Sequence, residues 1–241
     1  MRVLRRIVKA RAPPEAVKLT LAPPSRSGDH SQPMPSLNEI LAAHAPLLVL
    51  DAASARIHVG LLAAEGGGRW ETSSEEAGIG VFRCVEALGV DLDAVRGFAF
   101  CSGPGSILGI RTVAMALRAW QVMAPRPIYA YGSLALVAHA QGKQQWNVIA
   151  DARRDFWHLY RLGAGLTRVT TAELPTGMVM PDGFRHWKPL PLGTEGVPYN
   201  VSDLLARTAA CDLFEAMESP DAFLHEEPSY ATWTPQLHRA P

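Results

Sequence analysis

Two aspartates, Asp51 and Asp151, each close an apolar run, Leu47–Asp51 and Asn147–Asp151. A short apolar run ending in an acid reads as a buried strand that delivers a carboxylate at its C-terminal end. Two such acids at the mouths of two equivalent strands can hold a metal-bound nucleotide, as a two-lobed phosphotransferase does. The same side chains can instead accept the N–H of the turn that follows. Both readings stand on the sequence. Between the acids lies Gly103-Pro-Gly-Ser-Ile-Leu-Gly109, which follows a strand and opens a helix. Backbone N–H groups there can cradle an anion. The spacing is one residue too long for a dinucleotide fingerprint, and the following strand ends in Tyr131-Gly132 instead of an acid. A phosphate loop of the lysine type needs a lysine that Arg111 does not replace, and Ser106 lacks the flanks of a nucleophile elbow. Two readings remain: an anion or nucleotide contact through Gly103, Gly105 and Ser106, or a tight junction in which glycine lets the helix approach the sheet.

Metal and thiol chemistry find little support. The eight histidines contain no H-x-x-x-H spacing, and His58 and His158 fall inside strand patterns, where a structural role is the expectation. Cys84, Cys101 and Cys211 lie far apart, without a C-x-x-C pair, so a disulfide framework is not expected and a reducing, cytoplasmic setting is. No catalytic residue and no metal ligand is assigned.

The elements that must position these residues follow from periodicity and caps. Ser36-Leu-Asn-Glu39 is a capping box before a short helix to His44. Strands are expected at 47–51, 57–63 and 69–73, the last two joined by the glycine turn 65–68. A helix at 74–88 stops at Gly89, strand 97–101 leads into the glycine loop, and helix 110–123 ends at Pro125. Strand 127–131 and helix 133–141 complete a β-β-β-α-β-α-β-α lobe. A smaller second lobe opens with strands 147–151, 156–162 and 166–172, so the two β-β-β openings share an order. Residues 175–198, rich in Pro and Gly, read as irregular; 201–217 reads as a last helix and 228–233 as a closing extended segment. The division is thus an arm at 1–33, a first lobe at 34–145 and a second at 146–241.

The arm differs from the rest. Residues 1–30 hold seven Lys or Arg against Glu15 and Asp29, a local charge of +5 in a chain whose net charge is zero, so the remainder carries −5. With its prolines, such a stretch buries little apolar surface and is expected to stay disordered. It reads as a solvated tail, with an RNA contact or an organelle transit signal as alternatives, and Met34 is a candidate start of the natural chain. The neutral whole argues against the folded body gripping nucleic acid by charge alone. No apolar run reaches the ~18 residues a membrane span needs.

Helix 110–123 carries Arg111 and Arg118 as its only charges. Val113, Leu117 and Trp120 follow helical spacing toward the sheet, which leaves Met115, Ala119, Val122 and Met123 on the rest of the surface. The preceding helix adds Val81, Phe82 and Val85. A helix apolar nearly all round needs cover on both sides, so the pair is a candidate partner interface.

These landmarks resemble a family. Asp51-Ala-Ala-Ser54, Cys101-Ser-Gly-Pro-Gly-Ser-Ile-Leu-Gly-Ile-Arg111, Ile149-Ala-Asp-Ala-Arg153 and Pro228-Ser-Tyr230 are similar to the D-T-S, G-P-G-S-F-T-G-[LV]-R, I-D-A-R and P-x-Y of the TsaB, or YeaZ, family, over about residues 47–233. The resemblance implies an α/β, two-lobed actin-like ATPase (ASKHA) fold with a reduced second lobe. It implies a non-catalytic subunit of the machinery that installs threonylcarbamoyl on the adenosine next to the anticodon of tRNA. That subunit heterodimerises with its catalytic homologue TsaD; TsaE joins as an ATPase, TsaC supplies the threonylcarbamoyl-adenylate, and tRNA is met through the complex. It implies an interface at Val81, Phe82, Val85, Arg111, Met115, Arg118, Ala119 and Val122. A vestigial ATP or ADP site at Asp51, Ser54, Gly103, Gly105, Ser106 and Asp151 and a homodimer are left open. The departures weigh against nucleotide binding: Ala52-Ala53 stand where a threonine hydroxyl is expected, Ile107-Leu108 replace Phe-Thr, and 72–78 lacks a His-Ser pair. A small actin-like phosphotransferase or hydrolase is the alternative, although Arg153-Arg154 follow Asp151 where a phosphate loop belongs.

Overall fold

Leu47–Asp51 (β1) is apolar at every position before its acid because both faces of its sheet are covered. Leu47 and Val49 join one core and Leu48 and Leu50 the other, as the two-residue side-chain period of a strand requires. In this computed structural model, which describes residues 34–64, 67–142 and 146–223, β1 sits in a six-stranded sheet. It pairs antiparallel with Ile57–Leu62 (β2), which pairs antiparallel with Gly68–Ser73 (β3). On its other side it runs parallel to Gly97–Gly103 (β4), and β4 to Ile128–Gly132 (β5). The basic arm and the 228–233 segment lie outside the described residues.

The second sheet repeats the plan. Asn147–Asp151 (β6), Phe156–Arg161 (β7) and Gly165–Thr170 (β8) form the same antiparallel meander, and Met178–Pro181 (β9) lies parallel to β6 as β4 does to β1. Glu195–Val197 (β10) then runs parallel to β9. Strands β9 and β10 arise within 175–198, the stretch expected to be irregular; four and three residues between prolines and glycines are too short for a periodic pattern.

Helices fill the layers. Leu37–His44 (α1) starts with the expected box: the Ser36 backbone and hydroxyl both donate to Glu39, and the Glu39 N–H returns to Ser36 Oγ. Ala77–Ala87 (α2) and Ile107–Met123 (α3) cover one face of the first sheet. Ser133–Gln141 (α4) touches β4 and β5 of the first sheet and β6 and β7 of the second, which explains a helix apolar on nearly every side. Val201–Arg207 (α5) packs on α4.

The expected helix 201–217 ends ten residues early. Thr208 Oγ1 donates back to the Leu204 carbonyl, Phe214 is drawn fully inside against Tyr131, and Glu215–Ala216 (β11) pairs with β5. The chain thus returns to the first sheet after building the second, across the division drawn at residue 146. The described residues belong to one compact unit, and none of their helices is long and apolar enough to cross a membrane.

Candidate functional site

The C-terminal ends of β1 and β6 carry the two acids, and each accepts the N–H two residues on: Asp51 Oδ1 from Ala53 at 2.9 Å, Asp151 Oδ1 from Arg153 at 2.6 Å. Both therefore make the turn-capping bond the sequence left as one of two readings. Their surroundings then diverge. Asp51 is fully buried, and its Oδ2 accepts the hydroxyls of Tyr131 (2.8 Å) and Tyr199 (2.7 Å). Burial, and secondarily the Asp51 charge, push both phenols well above their ordinary range and keep them as donors. Cys101 beside them is raised for the same two reasons. His58, directly across the strand pair from Asp51, is lowered by burial; Asp51 opposes that shift and Arg56 adds to it.

The glycine loop is a close-packed junction. A Cβ on Gly105 would stand 2.4 Å from the Ala53 carbonyl oxygen, and one on Gly109 would stand 2.2 Å from that of Ala52. Only hydrogen fits at either position. The Ser106 N–H donates to Ala53 O at 2.7 Å, and Ser133 Oγ donates to Pro104 O. Ser106 also caps α3 by accepting the Gly109 N–H, which starts the helix at Ile107, three residues before the expected Ile110.

The loop forms one wall of a cavity of about 560 Å³, and the second sheet forms the other. Ser54, Gly103, Gly105, Ser106 and Asp151, all expected at a nucleotide site, line it. Asp51 does not: it is fully buried, with its carboxylate held by the two tyrosines. Ser54 is present, but its hydroxyl is engaged within its own turn, donating to Arg56 O and accepting the Arg56 N–H. Sequence reasoning missed most of the opposite wall. Arg153, Arg154, Arg168 and Arg185 all reach the cavity, with Trp187 beside them. Only Arg153-Arg154 gave a signal, as a basic pair in place of a phosphate loop.

The interface candidates divide. Phe82, Arg111, Met115, Ala119 and Val122 are exposed, with Met115 at 60% and Val122 at 87%. Val85 is partly buried. Val81 is a correction: it is fully buried in the core between the helix pair and the sheet, because it falls on the inward stripe of α2. Arg118 is turned to its own chain, donating to Pro220 O and pairing with Asp221.

No protein-family model and no curated protein matches the sequence. Solved structures do. YeaZ from Pseudomonas aeruginosa superposes with a TM-score of 0.54 at 22% identity, over 74% of this chain and 99% of that one. The chain has the YeaZ fold. A Pseudomonas aeruginosa protein described as similar to the peptidase YeaZ matches at 0.50 and 22% identity, over 67% of this chain and 88% of its own length. The first of these matches spans nearly the whole of the Pseudomonas aeruginosa YeaZ chain.

Proposed function

We propose that this chain is a TsaB/YeaZ-type subunit that works by docking a TsaD-like homologue in the complex installing threonylcarbamoyl on the adenosine beside the tRNA anticodon. One observation carries the reading: α2 and α3 present an apolar double ridge to solvent. Met115, Ala119 and Val122 recur at helical spacing on α3, and Ile79 and Phe82 do so on α2, next to α3 through Phe82 against Trp120. An exposed apolar pair of helices fits a partner's helices ridge into groove. The enclosed Asp51 supports a subunit without an active site of its own, since no acceptor on its carboxylate is turned outward for a metal or substrate. The repeated strand order of the two sheets supports an actin-like, two-lobed ancestry for the fold. On this reading TsaE joins the pair, tRNA is met through the complex, and the setting is cytoplasmic.

Co-expression with TsaD tests it. Met115→Glu places a charge on an exposed position, so the fold should survive by circular dichroism while co-purification with TsaD is lost. Unchanged co-purification would remove this helix pair from the interface, and a homodimer resistant to the same substitution would assign the face differently.

A further inference from the structure

Strand β3 is a sheet edge left open on its outer side. Among the described residues it pairs with β2 alone, and Gly68, Arg69, Glu71 and Thr72 are exposed. The other edges offer less: β10 and β11 have three and two residues, and β8 is half-buried along its whole length. Native sheets blunt an open edge with proline, lysine or a bulge. Strand β3 contains no proline or lysine, and its register with β2 runs unbroken over six pairs.

The ladder decides which groups this edge presents. The Ala63 N–H donates to the Gly67 carbonyl at 2.8 Å, one pair beyond Leu62 and Gly68. Antiparallel pairs alternate between bonded and non-bonded, so Arg69, Glu71 and Ser73 turn their backbone groups toward β2. Gly68, Trp70 and Thr72 turn theirs outward. Side chains alternate as well, which puts Arg69 and Glu71 on one face and Trp70 on the other. Trp70 lies over Gly60, where a Cβ would meet its ring at 2.7 Å. Neither Arg69 nor Glu71 belongs to the ion pairs among the described residues, Arg83–Glu75 and Arg118–Asp221.

We propose that β3 pairs antiparallel with β3 of a second copy of this chain, about a two-fold axis at Trp70. With Trp70 opposite its own counterpart, Gly68 meets Thr72, and these are the residues whose backbone groups point outward. The same register sets Arg69 opposite Glu71 of the second copy, and Glu71 opposite its Arg69. Both pairs fall at non-hydrogen-bonded positions, where side chains come closest. The contact is isologous, and the strand is complementary in charge to itself. The two Trp70 rings share one face at the axis as an aromatic cross-strand pair. Neighbouring registers are disfavoured. A slip of one residue sets outward groups against inward ones, and a slip of two sets Arg69 against Arg69 or Glu71 against Glu71. One strand pair is smaller than a standard interface, so the dimer is weak and depends on concentration.

Sedimentation equilibrium on the full chain, from about 1 μM to about 1 mM, covers the range in which weak contacts titrate. The expected result is a monomer–dimer equilibrium. Arg69→Glu and Glu71→Arg each set two pairs of like charges face to face and should weaken it roughly tenfold. The double exchange restores both pairs and should recover the parent's association. Thr72→Pro removes an outward N–H at an edge position that tolerates proline, so it should abolish the dimer with unchanged circular dichroism. Oxidising a chain that carries Arg69→Cys and Glu71→Cys should join position 69 of one copy to position 71 of the other. Met115→Glu lies off this edge and should leave the dimer intact, so this experiment and the docking experiment fail separately. A monomer throughout, single reversals without effect, no recovery on double exchange, a dimer that survives Thr72→Pro, a cross-link between the two positions 69, or a dimer lost in Met115→Glu would each overturn the assignment.

Discussion

The strands β1 and β6 hold equivalent places in their sheets, each between an antiparallel meander and a parallel neighbour, end in the same residue and accept the N–H two residues on, yet their carboxylates do opposite things. Asp51 is a structural hub: three donors from three parts of the chain converge on it, and Tyr199, contributed after the second sheet is built, ties the end of β1 to the segment leading into α5. Asp151 borders the cavity and organises the arginine-bearing loops through backbone N–H groups alone. The difference follows from what each half packs around its sheet. The first has α2 between β3 and β4 and α3 between β4 and β5. The second has a single helical turn, Thr171–Glu173, and the irregular run 182–194 in those places. A half without those helices leaves its strand ends open, and Arg185 and Trp187 occupy the space. Topological equivalence fixed where the acids sit, and the covering layers fixed what they can do.

The sharpest way to break the comparison is to remove each acid in turn. Asp51→Ala leaves two buried phenols without an acceptor and should cost roughly 3 kcal/mol or more, whereas Asp151→Ala, at a partly exposed site, should cost about 1 kcal/mol. Urea denaturation reads both, and equal losses would end the distinction between hub and rim. A smaller contrast separates the two loops. Gly109→Ala would gain about 1 kcal/mol from helix propensity, but its Cβ meets the Ala52 carbonyl oxygen at 2.2 Å. Overpacking wins, and we expect a net loss of about 2 kcal/mol. At Gly183, after β9, the nearest atom to a Cβ is 3.6 Å away, so only the left-handed backbone (φ +77°) opposes Gly183→Ala, by about 1 kcal/mol. Thermal melts that ranked Gly183→Ala as the more damaging would contradict the close-junction reading of the loop.

The smallest effect concerns pH. His58 lies buried with its folded value below 6.5, so the unfolded chain takes up a proton first as pH falls. Its contribution to stability is therefore complete above about pH 6.5 and declines as pH drops toward the folded value. His58→Leu should flatten the stability profile below pH 6.5 relative to the parent chain. An unchanged slope would assign the acid sensitivity elsewhere.

Much of this architecture was legible in the residues. Apolar runs ending in Asp51 and Asp151 marked the central strands because each is buried on both faces. The Ser36–Glu39 box marked α1, and Pro125 marked the end of α3. The errors have physical causes. The run from Val201 to Met217 has no glycine or proline to stop it, and it stops at Arg207 because Phe214 and β11 gain more from the core and the first sheet than a helix would offer. Val81 looked available for an interface because a short helix with apolar residues on several faces does not declare which of them points inward.

By itself the sequence determined local things: caps, strand and helix periods, a glycine-rich junction between a strand and a helix, and an acid at each of two strand ends. Those depend on residues a few positions apart. Tertiary structure alone decided that Tyr131 and Tyr199 would enclose one acid, 80 and 148 positions away along the chain, and that arginines from β8 and two separate loops would gather near the other. Such meetings are made by sheet order and packing between layers, and the spacing of residues along a chain holds no record of them.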